Sequence, residues 1–291
     1  MLATNGRLKI AVQKDGRISD DSFALLKAMG FDFDVRSRSL FSPCRNFPLD
    51  ILSVRDDDIP EYVQDGVSDF GIVGENIAVE RGSRIEIVDR LGFGKCQLAI
   101  CAPKAGKIKD LPSLSGARIA TSYPRTVKGF LEENGIKASI VEISGSVEIT
   151  PALNVSDATC DIISTGSTAR VNGLEVIHTV MTSEAILIGN PVALVAAEKK
   201  REMSQFFLRL RSVLEARDKM YVMMNAPADA VEKIKSLVPG MKSPTVVPLA
   251  NRNMVAVHSV VSENVIWDVM EKLKAAGASD IIVVPIVKII A

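Results

Sequence analysis

Ser164-Thr165-Gly166-Ser167-Thr168 is a run of small and hydroxylated residues. Such a run lets consecutive backbone N–H groups converge on an anion while the hydroxyls add donors. A helix opening near Ala169 would bring the partial positive charge of its N-terminus, which favours phosphate. Asp161, just before the run, is placed to accept hydrogen bonds from sugar hydroxyls. A Ser/Thr-rich turn that merely caps a helix has the same composition. On the residues alone the two readings stand level.

A second anionic group would suit Gln13-Lys14-Asp15-Gly16-Arg17, a turn that follows a strand and precedes a helix; Lys14 and Arg17 there are otherwise plain solvated charges. Ser122 and Tyr123 occupy the matching turn further along, where Tyr123 either stacks on a base or covers the loop. Arg55 ends the apolar stretch Leu49 to Val54 and is expected to face a cleft, where a fixed guanidinium fork would stabilise a leaving phosphate or pyrophosphate. Arg38 and Arg90 are weaker candidates for the same work. Asp56, Asp57 and Asp58 precede Ile59-Pro60 as acids do at a helix N-terminus, where capping and the macrodipole favour them; a metal-binding triplet is the alternative.

What is missing narrows the chemistry. The chain has no G-x-x-x-x-G-K-[ST], G-x-G-x-x-G or G-x-S-x-G, and its two histidines, His178 and His258, fall in no candidate site loop. Catalysis should therefore rest on electrostatics rather than on a general base that titrates near neutrality. Lys plus Arg and Asp plus Glu both number 35, which speaks against a nucleic-acid partner. Cys44, Cys96, Cys101 and Cys160 form no C-x-x-C pair and are expected to be reduced core residues rather than zinc ligands. No apolar run is long enough to span a membrane, and no secretion signal is indicated, so the expectation is a soluble, cytoplasmic protein.

The elements that would position these residues form a repeated pattern. A strand over Arg7 to Val12 leads through a turn into a helix near Ser19; a strand over Arg118 to Thr121 leads through Ser122-Tyr123 into a helix with Pro124 at its first position. Asp69-Phe70-Gly71-Ile72-Val73-Gly74-Glu75-Asn76 and Asp161-Ile162-Ile163-Ser164-Thr165-Gly166-Ser167-Thr168 then repeat a strand-into-loop pattern in the same order. Two similar α/β lobes around a cleft follow, with apolar segments at Gln97 to Ala102 and Ile186 to Ala196 as the chain crossings. On this division one lobe holds 1–96 and 184–216, including a helix at 199–217 with a core stripe of Phe206, Phe207, Leu210, Val213 and Leu214. The other lobe holds 97–183. Residues 217–291 read β-α-β-β-α-β, the ferredoxin-like order.

Across most of the chain these segments resemble one family. RLKIAVQKDGRISDDS, DILSVRDDDIPEYVQDGVSDFGIVGEN, RIATSYP, CDIISTGST, DKMYVMMNAP, SPTVVPLA and MEKLKAAGASDIIVVPI, in that order, are similar to ATP phosphoribosyltransferases of the long form. The resemblance implies a two-lobed, periplasmic-binding-protein-like catalytic body and a C-terminal ferredoxin-like, ACT-type regulatory domain. It implies transfer of the phosphoribosyl group of phosphoribosyl pyrophosphate to N1 of ATP, with Mg²⁺ arriving on the substrate. By the same resemblance Asp161 holds the ribose hydroxyls, and Ser164, Thr165, Gly166, Ser167 and Thr168 wrap the 5-phosphate. Arg38 and Arg55 serve the pyrophosphate end, and Arg17, Glu75, Ser122 and Tyr123 line the nucleotide. Asn225, Met241, Thr245 and Asp280 would line a pocket for inhibitory histidine, in a homo-oligomer between dimer and hexamer. Two departures stand out: Cys160 replaces the first of the paired acids of other phosphoribosyltransferase classes, and Asn225 stands where some relatives carry Asp. The rival architecture, a two-lobed solute-binding protein, lacks a reason for the C-terminal domain.

Overall fold

The alternation at the start of the chain becomes β1 (Leu8–Gln13), whose residues are all buried except Lys9, as a central strand covered on both faces must be. In the computed structural model, which describes residues 6–34, 40–163, 167–238, 243–251 and 253–290, α1 (Ser19–Ala28), β2 (Phe41–Pro43), β3 (Leu49–Val54), α2 (Ile59–Gln64), β4 (Phe70–Gly74), α3 (Glu75–Arg81) and β5 (Glu86–Arg90) follow. Then come β6 (Cys96–Pro103), β7 (Arg118–Thr121), α4 (Pro124–Glu133), β8 (Ser139–Glu142), β9 (Ala158–Ile163), α5 (Ser167–Val171) and β10 (Leu174–Ser183). The chain returns through β11 (Ala185–Gly189) and α6 (Pro191–Leu194). No helix among the described residues is long and apolar enough to cross a membrane.

These strands build two sheets, β2-β3-β1-β4-β11-β5 and β10-β6-β9-β7-β8. The repeat seen in the sequence is a repeat of topology. In the first sheet β1 lies parallel between β3 and β4, and β11 adds antiparallel to β4. In the second, β7 lies parallel between β8 and β9, and β6 adds antiparallel to β9. The crossings are the short links from β5 to β6 and from β10 to β11. One hydrophobic core runs through both lobes, with Ile59, Val63, Val73, Ile77 and Ala78 joined to Leu98, Ile100, Ile119, Tyr123, Val127 and Cys160. Gly71 lets α2 lie close on β4: a Cβ there would stand 2.5 Å from Ile59 Cγ2 and 3.0 Å from Val63 Cγ2.

A second unit comprises Ala28–Gly30 and Ser204–Ala291, so most of α7 (Lys200–Ala216), expected to go with the first lobe, belongs here. Phe206 and Leu210 of its stripe are buried, with Met203 beside them in sequence phase. Next come β12 (Lys219–Pro227), α8 (Val231–Leu237), β13 (Thr245–Pro248), β14 (Met254–Ser262), α9 (Glu263–Ala275) and β15 (Ser279–Pro285). Their sheet order, β13-β14-β12-β15 with antiparallel neighbours, is the ferredoxin-like one. Alternate residues of β12 and β14 (Val222, Met224, Ala226; Val255, Val257, Val261) form a core with Ile234 and Val238 on and beside α8, and with Ile266 and Leu273 of α9.

Candidate functional site

Asp161 sits on β9, half-buried, two residues before the strand's last residue, Ile163. Its Oδ1 accepts from the Ile162 amide at 2.8 Å and lies 3.5 Å from Ser122 Oγ, at the limit of a hydrogen bond. Burial pushes its carboxyl above the usual carboxylate range, although the Ile162 amide and Ser122 pull the other way. The structure therefore joins Asp161 to Ser122, two residues expected at the site 39 positions apart. The side chains of Ser167 and Thr168, residues Ser164, Thr165 and Gly166, and also Arg38 and Met241, lie outside the described residues.

Tyr123 does not present a face for stacking. It is 7% exposed and belongs to the hydrophobic core, so it backs the turn instead of lining it. Its hydroxyl accepts from Asn76 Nδ2 at 3.1 Å. Asn76 in turn receives the Ser183 hydroxyl on Oδ1 at 2.8 Å and gives its own amide N–H to Ser183 Oγ at 3.0 Å. All three residues are buried, and such a network holds because each member is satisfied. Burial, and next the Asp161 charge, drive the Tyr123 phenol upward, so it stays protonated.

Glu75 opens α3 and is spent on structure. Its carboxylate grips the Arg90 guanidinium through both oxygens, one at 2.8 Å, while Arg90 also reaches Glu184 at 3.4 Å. Glu184 takes the Gly92 amide at 3.0 Å, and its own carbonyl accepts from the Glu75 amide at 2.9 Å. This cluster lies at the crossings and borders a cavity of about 360 Å³ that also touches Lys95, Gln97 and Thr182. Arg90, a candidate for phosphate, is thereby committed to two carboxylates.

Arg17 and Arg55 differ. Arg17 follows Gly16, whose φ of +130° only glycine takes easily, and one of its guanidinium nitrogens donates to the Gly94 carbonyl. The turn is braced from within: Gln13 Oε1 accepts from the Ile18 amide at 3.3 Å and Gln13 Nε2 donates to Asp56 at 3.0 Å. Arg55 has extended backbone (φ −69°, ψ 145°) and an exposed side chain just before the 3₁₀ turn Asp56–Asp58. The three acids do precede α2, but neither turn nor helix has a side-chain cap. Asp56 instead takes Gln13 and the Asp57 amide, and burial, then the Asp57 charge, raise its carboxyl. Among the described residues no group of three or more His, Cys, Asp or Glu side chains is gathered to hold a metal ion.

A cleft of about 570 Å³ separates the lobes, with Asp57, Glu61, Glu80 and Arg81 on one wall and Ser122, Pro124, Glu142 and Ser144 on the other. Arg81 is drawn to Asp57 at 3.3 Å and to Glu61 at 3.9 Å. Acids outnumber bases on these walls, so a polyanion would enter with its charge offset by a cation.

In the second unit Asn225 and Asp280 meet: Asn225 Nδ2 donates to Asp280 Oδ2 at 3.0 Å, and Ser279 Oγ adds a donor at 3.2 Å. Asp280 has a positive φ of 50°. Thr245, by contrast, is on β13, which pairs with β14 opposite His258, so β14 intervenes between it and Asn225 on β12. Of the four residues expected together here, only Asn225 and Asp280 are in contact among the described residues. His258 Nδ1 and Tyr221 Oη lie 3.0 Å apart on the neighbouring stretch, a pairing that nothing in the sequence signalled. All four cysteines are free and buried, and burial raises Cys44 and Cys101 to about 11.

Comparison with known proteins agrees with this picture. The family profile described as ATP phosphoribosyltransferase matches residues 55–212, and the profile of the HisG C-terminal domain matches 216–288. An ATP phosphoribosyltransferase of Cytophaga hutchinsonii is 49% identical over 283 residues, covering 97% of this chain and 98% of that protein. One from Bacteroides fragilis is 46% identical over 283 residues, covering 97% and 99%. Among solved structures, the ATP phosphoribosyl transferase (HisG:HisZ) complex of Thermotoga maritima aligns with a TM-score of 0.63 at 27% identity, covering 72% of this chain and 98% of that one. With two lobes of repeated topology, a polar site at the β9 end and a ferredoxin-like C-terminal unit, the chain belongs to the ATP phosphoribosyltransferase family of histidine-biosynthesis transferases, in the long form that carries the C-terminal domain.

Proposed function

We propose that this chain condenses ATP with phosphoribosyl pyrophosphate, giving N1-(5-phosphoribosyl)-ATP and pyrophosphate, and that histidine bound to its C-terminal unit restrains the reaction. The observation that carries the catalytic half is the meeting of Asp161 with Ser122 near the end of β9. Asp161 accepts the ribose hydroxyls there, and the loop amides receive the 5-phosphate at the start of α5.

Adenine N1 is neutral and attacks C1 of the ribosyl group, so no side chain has to remove a proton before the C–N bond forms. The C–O bond to pyrophosphate breaks with the electron pair leaving on oxygen, and the sugar becomes oxocarbenium-like. The Asp161 carboxylate stabilises that positive charge from the hydroxyl side. Arg55, exposed and extended just before the Asp56–Asp58 turn, and Arg17 at the β1–α1 turn receive the departing charge. Mg²⁺ belongs to the substrate: phosphoribosyl pyrophosphate carries it in, which suits a cleft whose walls are richer in acid than in base. Ser122 is the remaining nucleotide contact, and Tyr123 and Glu75 hold the walls on which the contacts stand.

Inhibition by histidine is assigned to the Asn225–Asp280 pair, whose amide and carboxylate complement an α-amino acid. Because Thr245 is remote in the same chain, a neighbouring copy completes the pocket, and the working form is a homo-oligomer between dimer and hexamer. The compartment for such an enzyme is the cytoplasm. The test is an absorbance assay of purified protein with ATP, phosphoribosyl pyrophosphate, Mg²⁺ and pyrophosphatase, with and without histidine. Product that histidine suppresses supports both halves. Product without suppression removes the regulatory half, and no product from folded protein removes the reaction itself.

A further inference from the structure

The first turn of α4 is satisfied from the opposite lobe. Pro124 has no N–H to offer, Tyr123 supplies no side-chain cap, and the next two amides, Arg125 and Thr126, both donate to the Glu80 carboxylate at 2.9 Å. The Thr126 hydroxyl adds a third donor at 2.7 Å. Glu80 belongs to α3, 45 residues earlier and on the first lobe. The contact is reinforced beside it, because the Arg125 guanidinium covers Gly82, where a Cβ would collide with it. Ordinary caps come from the residue just before a helix and stabilise only that helix. This one joins two lobes, at the end of the helix that begins where Ser122 and Tyr123 stop.

We propose that Glu80 is a positioning residue: its carboxylate latches the first lobe to the N-terminus of α4 and so sets Ser122 and Asp161 at a fixed distance from Arg17 and Arg55. The inference rests on the reaction proposed above for its kinetic consequence, though not for its geometry. Without the latch, two amides and one hydroxyl are released to water and the lobes populate an open arrangement. Substrates then bind only the closed fraction, and their apparent dissociation constants rise as that fraction falls. Once both substrates are held between the lobes, the chemistry proceeds near its normal rate.

Two variants and two readouts test this. Glu80→Gln keeps the length of the side chain and one acceptor oxygen but turns the other into a donor that faces an N–H, and Glu80→Ala removes the contact. The expected result for Glu80→Gln is a rise of about tenfold in KM for both substrates with kcat within about threefold, and a larger rise for Glu80→Ala. The second readout is a spin-label distance between cysteines placed at the exposed Glu86 and Glu133, one on each lobe; the four native cysteines are buried and would not compete. The wild-type distribution should be narrow, and that of Glu80→Gln broader and shifted outward. A lower Tm with unchanged KM and an unchanged distance distribution would reduce Glu80 to a helix cap and overturn the proposal. Inactivity of the wild-type protein with ATP and phosphoribosyl pyrophosphate would remove the proposed reaction, while the distance measurement would still decide the latch.

Discussion

Replacing Asp161 with Asn separates the role of its charge from that of its shape. The carboxylate is half-buried, and one oxygen already serves the Ile162 amide. An amide side chain keeps one acceptor and presents an N–H₂ where a ribose hydroxyl would donate. Losing one charge-assisted hydrogen bond and weakening its neighbour costs about 3 kcal/mol. Removing the negative charge opposite an oxocarbenium-like sugar adds about 1–2 kcal/mol. The sum, about 4–5 kcal/mol, corresponds to roughly a thousandfold loss in kcat/KM for phosphoribosyl pyrophosphate. Stability should move the other way. Because burial raises the folded-state pKa of Asp161 above its unfolded value, its ionised form works against folding at neutral pH, a penalty absent in acid. Asp161→Asn should therefore melt no lower than wild type at pH 7.5. The wild-type kcat/KM should fall on the acid side through that raised pKa, as the carboxylate takes up its proton. A continuous assay across pH, paired with thermal melting, reads both. Activity of Asp161→Asn within tenfold of wild type, or a melting point several degrees lower, would refute the reasoning.

Arg55→Ala should leave the melting point within about 1 °C, since the side chain is exposed. It should lower kcat/KM for phosphoribosyl pyrophosphate about a hundredfold in the same assay, through lost contact with the leaving group. Asn76→Ala orphans the buried hydroxyls of Tyr123 and Ser183 together. The expected cost is about 3 kcal/mol, or roughly 10 °C by calorimetry. Asn225→Ala and Asp280→Ala should each raise the histidine concentration for half-inhibition at least about fivefold, with the uninhibited rate unchanged, as read from inhibition curves; curves that overlay wild type would place the pocket elsewhere.

The sequence was most readable where strands are buried on both faces and where Gly or Pro punctuates them. β1, β3, β4, β7 and β9 are mostly buried and were legible as strands, and Pro124 marks the start of α4 to the residue, whereas Gln97 to Ala102, expected as a crossing, lies in β6 of the second sheet. Edge strands of the two catalytic lobes were silent. Glu86–Arg90 and Leu174–Ser183 sit at sheet edges, half exposed and rich in charge or hydroxyls, so their pattern merges with that of loops. The repeat of strand-and-turn units did not bring Asp161 to Ser122; only the family resemblance grouped the two at one site. Nor were the partners of Tyr123, Glu75 and Glu80 legible, because Asn76, Arg90 and the α4 amides are brought to them only by tertiary packing. Nothing in Ala78-Val79-Glu80-Arg81 distinguishes Glu80 from an ordinary solvated helix acid.

Those partners redistribute the work among the residues that the family resemblance grouped together. Glu75 and Asn76 open α3 beside Glu184 and Ser183, the last residues before the chain returns to the first sheet. From Asn76 the hydrogen bonds continue to Tyr123, whose neighbour Ser122 meets Asp161. A displacement at the crossing therefore has a route to the Ser122–Asp161 pair, through buried groups that lose a partner if any one of them turns away. On this arrangement the residues that build the walls and those proposed to contact the substrates are different residues from the same short segments. Tyr123 and Glu75 fix where the walls stand, while Ser122 and Asp161 are only partly buried and Arg17 and Arg55 are exposed. Substituting the first set should shift stability and lobe geometry before it shifts chemistry. Substituting the second should do the reverse.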